Sequence, residues 1–395
     1  MRVRVRHGDS FWLYSRLFHI PIQLIEDSNR HIASNFLDVG MEVEIPGFIE
    51  ETYIIQPGDT FFQLAKMSKM PVEALLLLNP GVYPDHLALG QSVKLPKRVT
   101  EPVINDIQTY DFIHLQRDIE TLLCLYPFLK VNTIGESVLG NPIYELEIGR
   151  GKRNIHVNAS FHANEWITTP VLMKLVNTFF LALTNENMLN GIHALPLYHK
   201  NTLSIVPMVN PDGVNLVLQG PPAEKKEEIL ALNSGSPDFS GWKANIRGVD
   251  LNNQFPANWE IEKERKEPKS PAPRDYPGEI PLSEPEAVAM ARLVEKKQFS
   301  RVLAFHTQGR EFYWGYEGVE PVESERLARE YEKVSGYKSV RYIDSHAGFR
   351  DWFVHAYQKP GFTFELGLGV NPLPVSQFPQ IYEEMLNVFL VTLNS

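Results

Sequence analysis

A single cysteine, Cys124, stands among 395 residues, so no intramolecular disulfide can staple this chain. There is no long basic run, and 48 Asp and Glu outnumber 38 Lys and Arg for a formal net charge of −10. That excludes nucleic acid as the main partner, because phosphate binding needs clustered Lys and Arg. No stretch approaches the ~20 apolar residues that cross a membrane, so no membrane partner is expected. The basic start Met1–His7 lacks the apolar region that would follow in a signal peptide. The expectation is a protein made in the cytoplasm. The lone thiol lies in the apolar stretch Thr121–Leu129, which reads as a buried helix segment rather than the electropositive setting of a reactive cysteine. What remains is 43% hydrophobic and 22% charged, the balance of a globular chain long enough for two or three domains.

The first hundred residues repeat themselves. His7-Gly8-Asp9-Ser10 recurs as Pro57-Gly58-Asp59-Thr60, and Pro21, Asn29, Leu37, Gly40 and Pro46 recur as Pro71, Asn79, Leu87, Gly90 and Pro96. One fixed offset of fifty residues relates every pair, which marks a duplication. Each copy reads as a short alternating strand, a Gly-Asp-Ser/Thr cap, two apolar helices and a closing strand. This βααβ pattern resembles the LysM family. The resemblance implies binding of N-acetylglucosamine-containing glycans such as peptidoglycan, beside the first helix of each copy. The expected boundaries are 1–48 and 49–97, followed by a polar linker over 98–109.

From residue 110 the texture changes. Strand-like runs at Ile143–Ile148, Asn154–Ala159, Thr202–Val206 and Val302–Phe305 alternate with helical stretches such as Thr168–Leu183 and Glu284–Lys297. This alternation predicts an α/β domain over 110–395 with a mixed, mostly parallel sheet flanked by helices. Its ligand site is expected at the carboxyl ends of the strands. Three groups stand at such ends: His162 with Glu165, His306, and Glu365. Two imidazoles and one carboxylate suit zinc with an open fourth position, and a further carboxylate is left over. Glu260–Pro277, rich in Lys, Glu and Pro, reads as an exposed loop.

The order of His162–Glu165, Asn210-Pro211-Asp212-Gly213, Val249-Asp250-Leu251-Asn252, His306 and Thr363-Phe364-Glu365-Leu366 resembles the zinc carboxypeptidase superfamily. The resemblance implies one Zn2+ per chain on His162, Glu165 and His306. Glu365 is then the general base that takes a proton from the attacking water and returns it to the leaving amine. Lys243, or alternatively Arg247, would face the oxyanion. Where the family carries Asn-Arg to grip a terminal carboxylate, this chain has Asn252-Asn253, which puts strict exopeptidase action in doubt. The family's mobile tyrosine falls beside Tyr342. Its specificity position falls on Arg350, suited to a carboxylate such as that of diaminopimelate, unless Asp351 claims the charge. Together with the repeats, the resemblance implies hydrolysis of wall stem peptides, at the gamma-D-glutamyl to meso-diaminopimelate bond. The mother cell or spore of a sporulating bacterium is the expected setting. Open alternatives are a carboxypeptidase on the same peptides, a related deacylase, and an inactive wall-binding protein.

Overall fold

Gly-Asp-Ser and Gly-Asp-Thr each turn a strand into a helix, and the two residues after the glycine divide the work. Ser10 Oγ accepts the Leu13 amide at 3.2 Å, and Thr60 Oγ1 accepts the Gln63 amide at 3.2 Å while Gln63 returns the bond. Asp9 and Asp59 do not cap these helices. Each closes the preceding turn, through the amides of Arg6 and Gln56, and accepts a tyrosine hydroxyl, from Tyr14 and Tyr53. In the computed structural model, which describes residues 1–32, 36–105 and 107–395, the repeats belong to one compact unit. The first repeat is β1 (Arg2–Arg4), α1 (Phe11–Phe18), α2 (Ile22–Ser28) and β2 (Glu42–Glu44). The second is β3 (Phe48–Ile54), α3 (Phe61–Met67), α4 (Val72–Leu78) and β4 (Ser92–Arg98). In both, the first and last strands pair antiparallel.

The repeated asparagines explain their own recurrence. Asn29 Nδ2 donates to the Ile25 and Glu44 carbonyls, and its Oδ1 accepts the Glu44 amide at 2.8 Å. Asn79 does the same with Leu75 and Lys94. A fully used buried amide thus ties the second helix to the closing strand in each copy. Residues 119–130 and 177–195 complete this unit. Arg98 lies over the Phe48 ring at 4.5 Å and donates to the carbonyls of Phe18 and Thr184.

The second unit comprises 104–118, 131–176 and 196–395. Its eight-stranded sheet contains β5 (Lys130–Glu136), β6 (Pro142–Gly149), β7 (Arg153–Ala159), β10 (Asn201–Val206), β11 (Arg301–His306), β12 (Glu311–Tyr313), β13 (Lys338–Val340) and β14 (Gly361–Glu365). A two-residue hairpin, β8 (Met188–Leu189) with β9 (Ile192–His193), lies outside it. The strand order is β13-β12-β14-β11-β7-β10-β6-β5. The neighbours β14, β11, β7 and β10 run parallel, while β6 and β12 enter antiparallel. The central strand β11 is buried along its whole length, as a strand covered on both faces requires. Helices α5 (Phe112–Leu125), α6 (Thr168–Asn185), α7 (Ala194–Lys200), α8 (Pro211–Gln219), α9 (Lys226–Leu232), α10 (Trp259–Arg265), α11 (Pro285–Lys297), α12 (Val322–Ser335), α13 (Phe349–Tyr357) and α14 (Phe378–Asn394) fill the connections. The mixed, mostly parallel sheet flanked by helices is the architecture expected from the alternation.

Three sequence readings are corrected. Cys124 is exposed, because α5 buries Leu115, Ile119 and Leu122 and turns position 124 to the opposite side. Ala163–Asn185, a 3-10 turn running into α6, is long and apolar enough by composition to cross a membrane, but 89% of its apolar window is buried inside the protein, as for a core helix. Glu260–Pro277 is not a free loop. It opens as α10, and Glu262 is fully buried, pairing with Arg265 at 2.9 Å and accepting the His346 amide.

Glu286, at the start of α11, is also fully buried and accepts the Val138 amide at 3.1 Å. Burial, with the Asp212 charge adding to it, pushes its carboxyl up to about 7. A raised acid favours folding below its unfolded value of 4.5 and loses that contribution as pH climbs through 7. Glu286→Gln is therefore expected to be more stable than the parent at pH 8, by on the order of 3 kcal/mol, and to show little gain at pH 4. Thermal melts across pH 4–8 measure this, and a uniform offset would contradict it.

Candidate metal centre and active site

Three parallel strands deliver the chemistry to one edge. Phe305 on β11 stands in register with Ala159 on β7, and His306 with Glu365 on β14. Three residues past the end of β7, the chain reaches His162 and a single 3-10 turn, Ala163–Glu165. The turn cannot wander. Val209 and Asn210 amides bond back to Ala159 and Ser160, Asn210 Nδ2 donates to the Ala244 and Phe161 carbonyls, and the Ala163 amide reaches the Lys243 carbonyl at 3.0 Å. Asn210 also caps α8 through the Gly213 amide at 3.0 Å.

Gly213 is required for this contact by space. A Cβ there would lie 2.6 Å from Asn210 Nδ2 and 2.8 Å from the Ala163 Cβ. Alanine normally favours a helix over glycine by about 1 kcal/mol, but overpacking here costs about 1–3 kcal/mol. Gly213→Ala is expected to lower both melting temperature and activity. A variant as stable as the parent would refute the clash.

The donor atoms converge. His162 Nδ1 is 2.9 Å from Glu165 Oε1, and His306 Nδ1 is 2.9 Å from Glu165 Oε2 and 3.2 Å from His162 Nδ1. One ligand atom from each of the three lies within 4.8 Å of the others, and all three residues are buried. Two imidazole nitrogens and a carboxylate are a donor set that zinc accepts in a three-ligand site. The outer partners orient them. His162 Nε2 meets Asp250 Oδ1 at 3.2 Å, so Nδ1 is left to face the other ligands. The Thr307 amide donates to Glu165 Oε2 at 3.2 Å. Phe161 lies nearly parallel to the His306 ring, 6.0 Å away.

Electrostatics follow from burial and pairing. Burial alone would lower His162, but Glu165 and Asp250 overcome it and raise the ring to about 9. Against burial, His162, Lys243 and His306 hold Glu165 well below the usual carboxylate range, and His162 does the same for Asp250. His306 is lowered by burial. Glu365 is pushed up to about 8, by burial first and then by Glu165.

The remaining candidates separate. Lys243 Nζ lies 3.4 Å from Glu165 Oε1, beside the donor set, and Glu165, Asp250 and Glu365 raise its pKa against the effect of burial. Arg247 is half-exposed and pairs with Glu284 at 3.4 Å. Asn252 Oδ1 accepts the Phe349 amide at the start of α13, and Asn253 is buried in the 3-10 turn Leu251–Asn253. Arg350 is buried, with Nη2 on Asp351 at 2.8 Å and Nη1 donating to the Gly315 carbonyl. Its Nε has no partner among the described residues. Tyr342 is exposed and donates to Glu320 at 2.7 Å.

Sequence reasoning missed the backing of this site. The Pro273 carbonyl accepts the amides of Lys243 and Ala244, and the Asp275 amide donates to Asp250 Oδ2. Residues 272–276 therefore hold both the lysine and the aspartate that orients His162. Their only sequence signal was proximity to a charge-rich segment, and alternating charge reads as a solvated surface.

Comparison with known proteins agrees with this geometry. The zinc carboxypeptidase (Peptidase_M14) profile matches residues 116–388, and the LysM domain profile matches residues 3–46 and 53–96. The chain is 56% identical over 395 residues, all of both chains, to gamma-D-glutamyl-L-diamino acid endopeptidase 1 of Lysinibacillus sphaericus. It is 49% identical over 291 residues to the uncharacterized protein YqgT of Bacillus subtilis (strain 168), covering 72% of this chain and 77% of that one. Among solved structures, carboxypeptidase A from Helicoverpa armigera shares the fold with a TM-score of 0.54 at 17% identity, over 84% of each chain. Thrombin-activatable fibrinolysis inhibitor does so with a TM-score of 0.59 at 17% identity, over 80% of this chain and 90% of that one. The chain belongs to the zinc carboxypeptidase family, as a metallopeptidase with two LysM domains ahead of its peptidase domain.

Proposed function

We propose that this peptidase hydrolyses the gamma-D-glutamyl to meso-diaminopimelate bond of peptidoglycan stem peptides. The observation that carries this reading is the end-to-end match to a relative named for cleavage beside a diamino acid, in a chain whose donor set is intact. His162, Glu165 and His306 are the residues to hold one zinc ion, which when bound supplies a Lewis acid for water and for the scissile carbonyl. Glu365, at the neighbouring strand end, takes the proton from water and delivers it to the departing amine, as general base and then general acid. Lys243, rather than the Glu284-paired Arg247, places its ammonium toward the oxygen that gains charge. Asp250 fixes the His162 ring, and 272–276 fixes Asp250 and Lys243.

A neutral Asn253 supports cleavage within a peptide over removal of a terminal residue, since an amide cannot grip a carboxylate as a guanidinium does. Arg350 is the residue assigned to the side-chain carboxylate of diaminopimelate. Asp351 already balances its charge, so the unused Nε–H is the donor offered. Arg350→Ala is expected to reduce kcat/KM for diaminopimelate peptides relative to lysine peptides by about 10-fold, near the 1–3 kcal/mol of a charge-assisted hydrogen bond. An unchanged ratio of the two rates would remove that assignment. The LysM domains are the proposed anchor on the glycan. Trp12 and Phe62, fifty residues apart at the starts of α1 and α3, expose 64% and 73% of their surface, as rings that stack on sugars must. The mother cell or spore of a sporulating bacterium is the proposed setting.

Digestion of defined tri- and tetrapeptides, with products identified by mass, tests the bond. Release of a fragment beginning with diaminopimelate, abolished by a chelator, is expected. Release of only the C-terminal amino acid from the tetrapeptide would replace this reading with a carboxypeptidase.

A further inference from the structure

Residues 1–98 contain ten Lys and Arg and eleven Asp and Glu. Most of these charges neutralise each other. Arg2 and Arg4 pair with Glu42 or Glu44, Arg6 with Asp9, Arg30 with Asp27, Lys94 with Glu50 and Lys97 with Glu51. Arg98 is spent on backbone carbonyls. Three cations are left, Arg16, Lys66 and Lys69, and among the described residues none has a carboxylate partner. All three line the same cleft of about 580 Å³, together with His19.

The arrangement follows from the duplication. Arg16 and Lys66 are fifty residues apart, and so are His19 and Lys69. The same two positions at the end of the first helix are basic in one copy and basic or imidazole in the other, and the fold turns both copies toward one cleft. Cations do stabilise helix C-termini. At α1, however, Arg98 already donates to the Phe18 carbonyl and to the His19 carbonyl at 3.4 Å, so Arg16 is not needed there. The four groups are exposed, while Leu17, Ala65 and Met70 between them are buried and apolar. No Phe, Tyr or Trp lines the cleft, so it offers no platform for stacked bases.

We propose that the cleft between the two LysM domains docks a phosphodiester-linked polyol polymer of the cell wall. Phosphates repeating along a chain meet the guanidinium and the two ammonium groups, and the polyol carbons lie on the apolar floor. The chain as a whole is acidic, so attraction depends on this local set rather than on net charge. The inference goes beyond the peptide and glycan readings and takes from them only the wall as the source of the polymer.

Labelled poly(glycerol phosphate) binding to the full-length protein, read by fluorescence anisotropy, tests it. Lys66→Gln/Lys69→Gln is expected to weaken binding about 10-fold at about 50 mM NaCl and to reduce the slope of log Kd against log salt by about 1.4, two lost contacts at about 0.7 each. Arg16→Gln alone is expected to reduce the slope by about half as much. Poly-γ-glutamate and oligodeoxythymidylate of matched charge are expected to bind at least about 10-fold more weakly, because one lacks phosphate and the other needs stacking. Stem-peptide digestion by these variants should be unchanged, which separates this result from the peptidase reading. The proposal is overturned if the variants bind as the parent does, or if either control polymer binds equally well.

Discussion

Glu365→Gln is expected to leave a folded protein that still takes up one zinc per chain and hydrolyses stem peptides about 10²- to 10⁴-fold more slowly. General acid–base groups contribute about that much, and an amide of the same shape cannot accept the proton. The substitution also has a signature that does not depend on activity. In the metal-free protein, burial and Glu165 push Glu365 up to about 8. A raised acid contributes to folding below its unfolded value and loses that contribution as pH rises through the folded one. Removing the ionisable group should therefore make the metal-free variant more stable than the parent at pH 8.5 and no more stable at pH 4. Activity above one tenth of the parent's, with zinc content matched, would dismiss Glu365 as the proton carrier.

Glu165→Gln is expected to be still more disruptive. Glu165 offers a ligand oxygen and is also the shared partner of His162, His306 and Lys243. Oriented partners outside a metal's own ligands change affinity by about 10–100-fold, so losing an anionic ligand should cost at least about 100-fold in zinc affinity. It also strands a buried cation, a defect typically worth about 3–5 kcal/mol. Equilibrium dialysis and thermal melts of chelated protein read the two effects separately. Retained zinc at micromolar metal would refute the ligand assignment. His162 gives a related pH signature. In the chelated parent its ring is raised to about 9, so its contribution to stability is full below pH 6.5 and fades as pH rises through 9. Zinc needs the neutral ring, so uptake at pH 7 should release at least about one proton, measurable by calorimetry in buffers of different ionisation enthalpy.

How much of this was legible beforehand depends on whether a side chain's task is set locally. His162, His306 and Glu365 each follow an apolar strand-like run, and parallel strands put their ends on one edge, so their meeting could be anticipated from the chain alone. The repeats were legible for the same reason, since caps and turns are short-range. Partners chosen across long separations were not. Nothing in Trp242-Lys243-Ala244 says that Pro273 holds those amides, and nothing in Asp275 says that its amide steadies Asp250. Composition was misleading where a charge was buried. Glu262 looks solvated in Glu260–Arg265 but is enclosed with Arg265 and the His346 amide. Cys124 was misread because a nine-residue apolar stretch hides which side of α5 each residue takes.

The asparagine brace in each LysM domain has a consequence for ancestry. Asn29 and Asn79 hold their closing strands by main-chain groups alone, through Glu44 in one copy and Lys94 in the other, residues of opposite charge. A joint indifferent to what its neighbours carry lets sister modules drift apart on their outer surfaces while each keeps its shape. Such modules can re-specialise their outer surfaces one at a time while the brace of each stays as it was.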